Sequence, residues 1–183
     1  MGGSGRLRSI VRDSLREFGV ATYRKSEMRP GGELSQIFTK APSFHIIDHV
    51  IYHTECVFRG MKSAFLVADM PFGTFQESRE QALRNAVRLI QAGAQMVKLE
   101  GGRQMASRVQ AIAEAGIPVM GHLGLTPQAV HKLGGYKVQG RRPQEAEKML
   151  TDAKVLEAAG AFCLVLECVP PSVAREITRK VGI

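Results

Sequence analysis

At 183 residues, with 44% hydrophobic and 23% charged side chains, the chain has the size and composition of one globular domain. No apolar run approaches the roughly 18 residues of a membrane span. The three cysteines Cys56, Cys163 and Cys168 are odd in number and form no C-x-x-C, which suggests a reducing compartment with neither a disulfide framework nor a zinc knuckle. A net charge of +8 could serve nucleic acid or acidic substrates, but no RNA-binding signature, zinc finger or basic-aromatic platform accompanies it. The charge reads as solvated surface, and neither a nucleic-acid nor a membrane partner is expected.

Residues 1–43 differ from the rest and are read as a divergent basic segment, with the domain proper spanning 44–183. Residues 1–40 hold eight Lys/Arg against four Asp/Glu. Leu7, Ile10, Val11, Leu15 and Phe18 follow a helical spacing among Arg6, Arg8, Arg12 and Arg16, and Gly19 can stop that helix. A polar stretch follows, with Pro30-Gly31-Gly32 and Ala41-Pro42-Ser43, and reads as a linker or loop. An Arg-rich amphipathic N-terminus can be an organellar transit peptide, whereas Asp13 and Glu17 favour an ordinary packing helix.

From residue 44 strands and helices alternate. Ile46 to Arg59 is apolar at helical intervals, a strand covers 64–69, and a helix runs from about 79 to 92. Ser78 is its N-cap, with Gln81 at the capping-box position. Next come a strand at 94–99, a helix near 103–115, a strand at 117–121 and a Gly-rich loop over 123–142. A helix from Pro143 to Ala159, a strand at 161–166 and a helix from Pro171 complete the chain. Ala92-Gly93-Ala94, Ala115-Gly116-Ile117 and Ala159-Gly160-Ala161 each place glycine at a helix end directly before a strand. Such tight alternation specifies a parallel α/β sheet, and strands buried on both faces explain the unbroken apolar runs.

Each strand ends on an ionisable residue, where a parallel barrel concentrates its chemistry. Asp69 closes Phe65-Leu66-Val67-Ala68 and precedes Met70-Pro71, so it can ligate a hard metal or simply cap a loop. Lys98 and Glu100 are two positions apart and share one face of their strand, as an internal ion pair or as a functional pair. Glu167 closes Leu164-Val165-Leu166, and a carboxylate in such apolar company can act as a base. His122 lies between Gly121 and Leu123-Gly124 at another strand end, a position equally open to a hydrogen-bonded core histidine. His45, His49 and His53 stand at i, i+4 and i+8, a spacing that can hold zinc, but no H-E-x-x-H accompanies them.

Five motifs in order resemble the ketopantoate hydroxymethyltransferase family. They are Val67-Ala68-Asp69-Met70-Pro71-Phe72, Val97-Lys98-Leu99-Glu100-Gly101-Gly102, Gly121-His122-Leu123-Gly124-Leu125-Thr126-Pro127-Gln128, Gly134-Gly135-Tyr136-Lys137-Val138-Gln139-Gly140-Arg141 and Leu166-Glu167-Cys168-Val169-Pro170. The resemblance implies a (β/α)8 TIM barrel, present here as about strands three to six. It implies transfer of a hydroxymethyl group from 5,10-methylenetetrahydrofolate to 3-methyl-2-oxobutanoate, giving 2-dehydropantoate for pantothenate biosynthesis.

By position, Asp69 and Glu100 would hold Mg2+, the latter directly or through water. Lys98, His122 and Asp69 would bind the 2-oxo acid, and Glu167 would be the catalytic base. Partners would be the oxo acid and the folate, with homo-oligomers for a complete barrel. The family's Gly-Asp-Ser strand end and its Pro-x-Ile-Gly-Ile-Gly strand have no counterpart in this sequence. Two readings follow: an enzyme of the family, or a non-catalytic form that docks on full-length subunits. The Leu-Glu-Cys-Val-Pro-Pro variant is similar to eukaryotic members, which implies mitochondria in a eukaryote and cytoplasm otherwise.

Overall fold

The computed structural model describes residues 20–24, 46–61 and 64–183. His45 and the basic helical spacing of residues 7–18 lie outside them. In chain order the elements are β1 (Val20–Arg24), α1 (Ile47–Gly60), β2 (Ala64–Asp69), α2 (Arg79–Gln91), β3 (Met96–Glu100) and α3 (Ala106–Glu114). They continue with β4 (Val119–Gly124), α4 (Val130–Leu133), α5 (Pro143–Ala158), β5 (Cys163–Glu167) and α6 (Pro171–Lys180). The sheet order is β1-β2-β3-β4-β5. Strands β2 to β5 are mutually parallel, as expected, and β1 runs antiparallel to β2.

Three of the parallel strands begin two residues later than the apolar runs suggest, at Met96, Val119 and Cys163. The helix ends explain this. Gly93, Gly116 and Gly160 take φ of +109°, +83° and +94°. The amide that follows each bonds back to its helix: Ala94 to the Leu89 carbonyl, Ile117 to Ile112 and Ala161 to Leu156. That closing bond of the left-handed cap uses the residue after glycine, so the strand starts later.

Strand β1 falls where the sequence reading placed a linker. Val20-Ala21-Thr22-Tyr23 carries the β-branched and aromatic types that suit a strand. Its backbone occupies the outer edge of β2, whose amides and carbonyls would otherwise lack partners. The loop expected over 123–142 also holds structure: a 3-10 turn at Pro127–Ala129 and the short α4.

Alternation along the strands makes two faces. On one, Leu66, Ala68, Val97, Leu99, Val119 and Leu123 join Ala82, Leu89, Ile112 and Leu156 of the helices in one buried core. On the other, Val67, Met96, Met120 and Val165 form a second cluster with Phe65 and Cys163. The second face continues, strand by strand, into Asp69, Lys98, Glu100, His122 and Glu167. Burying one apolar side chain of the helix-packed core contributes about 1.5–3 kcal/mol. That core fixes the direction in which the opposite face projects its charges.

Candidate active site

The sequence-predicted site residues come together at the C-terminal ends of four strands. The register is staggered: Asp69 pairs with Lys98, Glu100 with His122, and Gly124 with Glu167. Each step across the sheet climbs two residues, as strand tilt in a barrel requires. Charges from different strand positions are thereby brought to one end.

Lys98 is the hub. Its Nζ lies 2.5 Å from Asp69 Oδ2 and 3.3 Å from Glu100 Oε1, and all three side chains are buried. His122 stands between two carboxylates, Nδ1 3.5 Å from Glu100 Oε1 and Nε2 3.4 Å from Glu167 Oε2. The imidazole is fully buried while the Glu167 side chain keeps 24% of its surface exposed. Glu167 is thus the member that faces the open end of the site.

Two buried carboxylates share one lysine, and the electrostatics follow. Burial lifts the Asp69 carboxyl from 3.8 to about 7; Lys98 opposes the rise and Glu100 adds to it. Burial also works against the Lys98 ammonium, but Asp69 and Glu100 outweigh it and hold its pKa above the usual 10.5. Lys98 therefore stays charged, and Asp69 is the carboxyl that yields. Burial works against ionised Glu100 as well, yet His122, Lys98 and a backbone amide together hold it below the usual range. Burial lowers His122, against the pull of Glu100, so the imidazole is neutral near pH 7. A neutral imidazole has one N–H and can donate to only one of its two carboxylate neighbours at a time.

The residues present suit a hard divalent cation. Asp69 Oδ1 is buried without a hydrogen-bond partner. A buried, unpartnered carboxylate oxygen is costly, and a cation would satisfy it. Among the described residues no group of three or more His, Cys, Asp or Glu closes around a metal by itself. Magnesium is commonly bound by one or two carboxylates, with substrate and water completing its octahedron, and Asp69 and Glu100 are the carboxylates placed to hold it. His49 and His53 lie on α1, and among the described residues, which do not include His45, they belong to no group of three or more metal-ligating side chains.

Two contributors escaped the sequence reading. Gln128, within the 3-10 turn after β4, donates its backbone N–H to Glu100 Oε2 at 3.0 Å. Its side-chain amide donates to the Met70 carbonyl at 2.9 Å, next to Asp69. Asp152 on α5 accepts from Arg103 Nε at 2.5 Å and from Lys148 Nζ at 2.8 Å. It thereby pins the turn that follows Glu100, where a Cβ on Gly102 would fall 2.5 Å from Asp152 Oδ2. Gln128 stood inside a quoted motif, and the Lys148-to-Asp152 spacing of four was visible, but neither signals a long-range contact.

A family model for ketopantoate hydroxymethyltransferase matches residues 41–183, a span that contains every residue of this site. The chain belongs to the ketopantoate hydroxymethyltransferase family. Relatives named 3-methyl-2-oxobutanoate hydroxymethyltransferase agree. That of Nitrosomonas eutropha is 56% identical over 137 residues, 75% of this chain and 51% of the relative. That of Azoarcus sp. is 57% identical over 136 residues, 74% and 50%. That of Ignicoccus hospitalis is 49% identical over 155 residues, 84% and 59%. This family member thus spans about half the length of the curated relatives it matches.

Among solved structures, 2,3-dimethylmalate lyase, a PEP mutase/isocitrate lyase superfamily member, superposes with a TM-score of 0.56 at 14% identity. It covers 76% of this chain and 50% of its own. That likeness supports the α/β half-barrel: four parallel strands with helices on one face. Among the described residues no helix is long and apolar enough to cross a membrane.

Proposed function

We propose that the protein takes part in forming 2-dehydropantoate, by hydroxymethyl transfer from 5,10-methylenetetrahydrofolate to 3-methyl-2-oxobutanoate. The observation that carries this reading is the cluster at the strand ends: Asp69, Lys98, Glu100, His122 and Glu167, linked by successive contacts of 2.5 to 3.5 Å. Family membership supplies the reaction class.

Asp69, through its unpartnered Oδ1, and Glu100, directly or through water, would hold Mg2+. Bound there, the metal would supply Lewis-acid polarisation of the 2-oxo acid. Lys98 places a fixed positive charge where the carboxylate and oxo oxygens of the substrate need one. Glu167, the most exposed carboxylate of the cluster, takes the C3 proton. Neutral His122 orients Glu167 from below and excludes water from the floor of the site. The carbon nucleophile left at C3 bonds to the methylene carbon of the folate, and both C–N bonds to that carbon break. A water supplies the product hydroxyl, and tetrahydrofolate leaves with the C3 proton and the water's second proton on its two nitrogens.

Residues 44–183 are the barrel unit in this reading, equivalent to about strands three to six of a (β/α)8 barrel, and the family match from residue 41 supports that boundary. Homo-oligomers are the expected assembly, and the compartment is cytoplasm, or mitochondria in a eukaryotic cell. The docking-partner reading gains nothing from the relatives, which carry the name of the enzyme.

The test is proton exchange at C3. The purified chain, Mg2+ and 3-methyl-2-oxobutanoate are combined in deuterated water and followed by NMR, with no folate present. Exchange should exceed that of Glu167→Gln by about 100-fold or more. Exchange no faster than in that variant overturns the assignment of catalysis to this chain.

A further inference from the structure

Among the described residues nine glycines take a positive φ, and one other residue joins them: Cys168, at φ +49°. A non-glycine residue in the left-handed region is uncommon, because its Cβ crowds the following carbonyl oxygen. Cys168 stands directly after Glu167, the last residue of β5. Its side chain is exposed, so packing of the thiol does not account for the conformation.

The chain on either side leaves little choice. β5 ends at Glu167 and α6 begins at Pro171. Both are anchored in the helix-packed core, β5 by Leu164 and Leu166 and α6 by Ile177. Three residues must turn the chain between them. The ring of Pro170 fixes its φ, and Val169 is pushed towards extended backbone by the proline after it. Cys168 is the residue left to make the turn. Two amides then hold it: the Leu125 N–H donates to the Glu167 carbonyl and the Gln139 N–H to the Cys168 carbonyl, each at 2.8 Å. Gly124 lets β4 approach the turn, since a Cβ there would overlap the Glu167 carbonyl oxygen and Val169 Cγ2.

We infer that Cys168 is a positioning residue for the general base: its left-handed backbone, clamped by the amides of Leu125 and Gln139, fixes the direction in which Glu167 leaves the strand. The inference rests on the reading of Glu167 as the base under Proposed function. It also gives the 134–141 motif a part in the site, through the Gln139 amide. Strained backbone persists only where its surroundings over-determine it, and here the clamp, the close approach of Gly124 and the two prolines do so. A reacting group misplaced by about 1 Å can cost about 100-fold in rate, so a turn that holds the base still matters to the chemistry.

Three variants of the full chain test this, by C3 proton exchange measured across a range of 3-methyl-2-oxobutanoate concentrations with Mg2+ present. Cys168→Ser removes the thiol at nearly the same size, and Cys168→Asn supplies a residue that enters the left-handed region readily. Cys168→Val supplies a β-branched residue, a genuine outlier at positive φ. Ser and Asn should stay within about twofold of wild type. Val should fall about tenfold or more at saturating oxo acid, with its half-saturating concentration within about twofold. Amide hydrogen exchange at Leu125 and Gln139, measured without substrate, should speed up about tenfold in Val and stay at the wild-type rate in Asn. If Cys168→Val loses its cooperative melting transition, Cys168→Thr replaces it, with an expected loss of about threefold. Wild-type exchange in the β-branched variant, unchanged protection of its two amides, equal loss in Ser or Asn, or a half-saturating concentration that rises in step with the loss overturns the inference. Glu167→Gln separates the two readings. Wild-type exchange no faster than in Glu167→Gln removes the base and the inference together, whereas a slow Glu167→Gln beside a fast Cys168→Val removes the inference alone.

Discussion

The backbone N–H of Gln128 reaches a carboxylate oxygen of Glu100 at 3.0 Å, across 28 residues of chain. The same residue's side chain holds the Met70 carbonyl at 2.9 Å, so one turn after β4 braces the ends of both β2 and β3. Glu100 thus has both oxygens engaged, Oε1 by Lys98 and Oε2 by Gln128. Asp69 keeps one oxygen unpartnered. Of the two proposed metal-holding carboxylates, Asp69 is the one open for a direct bond.

Gln128→Ala should lower stability by about 1–3 kcal/mol, because the buried Met70 carbonyl loses its side-chain donor. Proton exchange at C3 should fall with it, since the brace under Asp69 and Glu100 loosens. Chemical denaturation and the NMR exchange assay check the two effects separately. Wild-type stability in the variant would rule out this bracing role.

Lys98→Met should be more damaging, costing about 3–5 kcal/mol, because it leaves Asp69 and Glu100 buried together without their shared cation. Adding Asp69→Leu should recover most of that loss. A urea titration of the single and double variants reads the recovery directly.

The carboxyl of Asp69, raised to about 7 by burial against an ordinary 3.8, binds its proton more tightly in the folded chain than in the unfolded one. Its contribution to stability is therefore full below about pH 3.8 and is lost as pH rises through 7. Relative to Asp69→Asn, the metal-free wild type should lose at most about 1.4 kcal/mol per pH unit across that window. Asp152 runs the other way: although burial opposes it, Lys148 and Arg103 hold its carboxyl below 3.8. Its contribution is present above that value and disappears on further acidification. Unfolding curves in EDTA from pH 4 to 8 measure the first slope.

Gly124→Ala should disturb the general base through the backbone. Gly124 has φ +90°, and an added Cβ would stand 2.2 Å from the Glu167 carbonyl oxygen. That oxygen also accepts the Leu125 N–H at 2.8 Å. The strained conformation alone costs about 1–3 kcal/mol. The clash must further push apart the ends of β4 and β5, so exchange at C3 should drop more steeply than stability.

Much of the fold was legible in the chain itself, and residue types show why. The apolar runs ending at Asp69, Glu100 and Glu167, separated by helices that stop on glycine, dictate a parallel sheet with the chemistry at one end. Periodicity of two put Lys98 and Glu100 on one face, and that placement held. Strand β1 was less visible, because a five-residue strand in a polar stretch gains its meaning only from the β2 edge that it covers.

What the amino-acid sequence determined by itself was local and periodic: which residues alternate, where helices must stop, and which motifs place the chain in its family. The tertiary structure alone decided which ionisable groups stand beside which. The stagger of the strands brings His122 between Glu100 and Glu167, and sets one lysine between Asp69 and Glu100. Those distances depend on sheet register and barrel tilt, which are set by packing summed over the whole core. Gln128 and Asp152 belong to the same class, since each acts on a residue at least 28 positions away. Lys98 is an ion-pair candidate by spacing and the hub of a site only by fold, because a charge acquires its chemical role from the neighbours that burial forces on it.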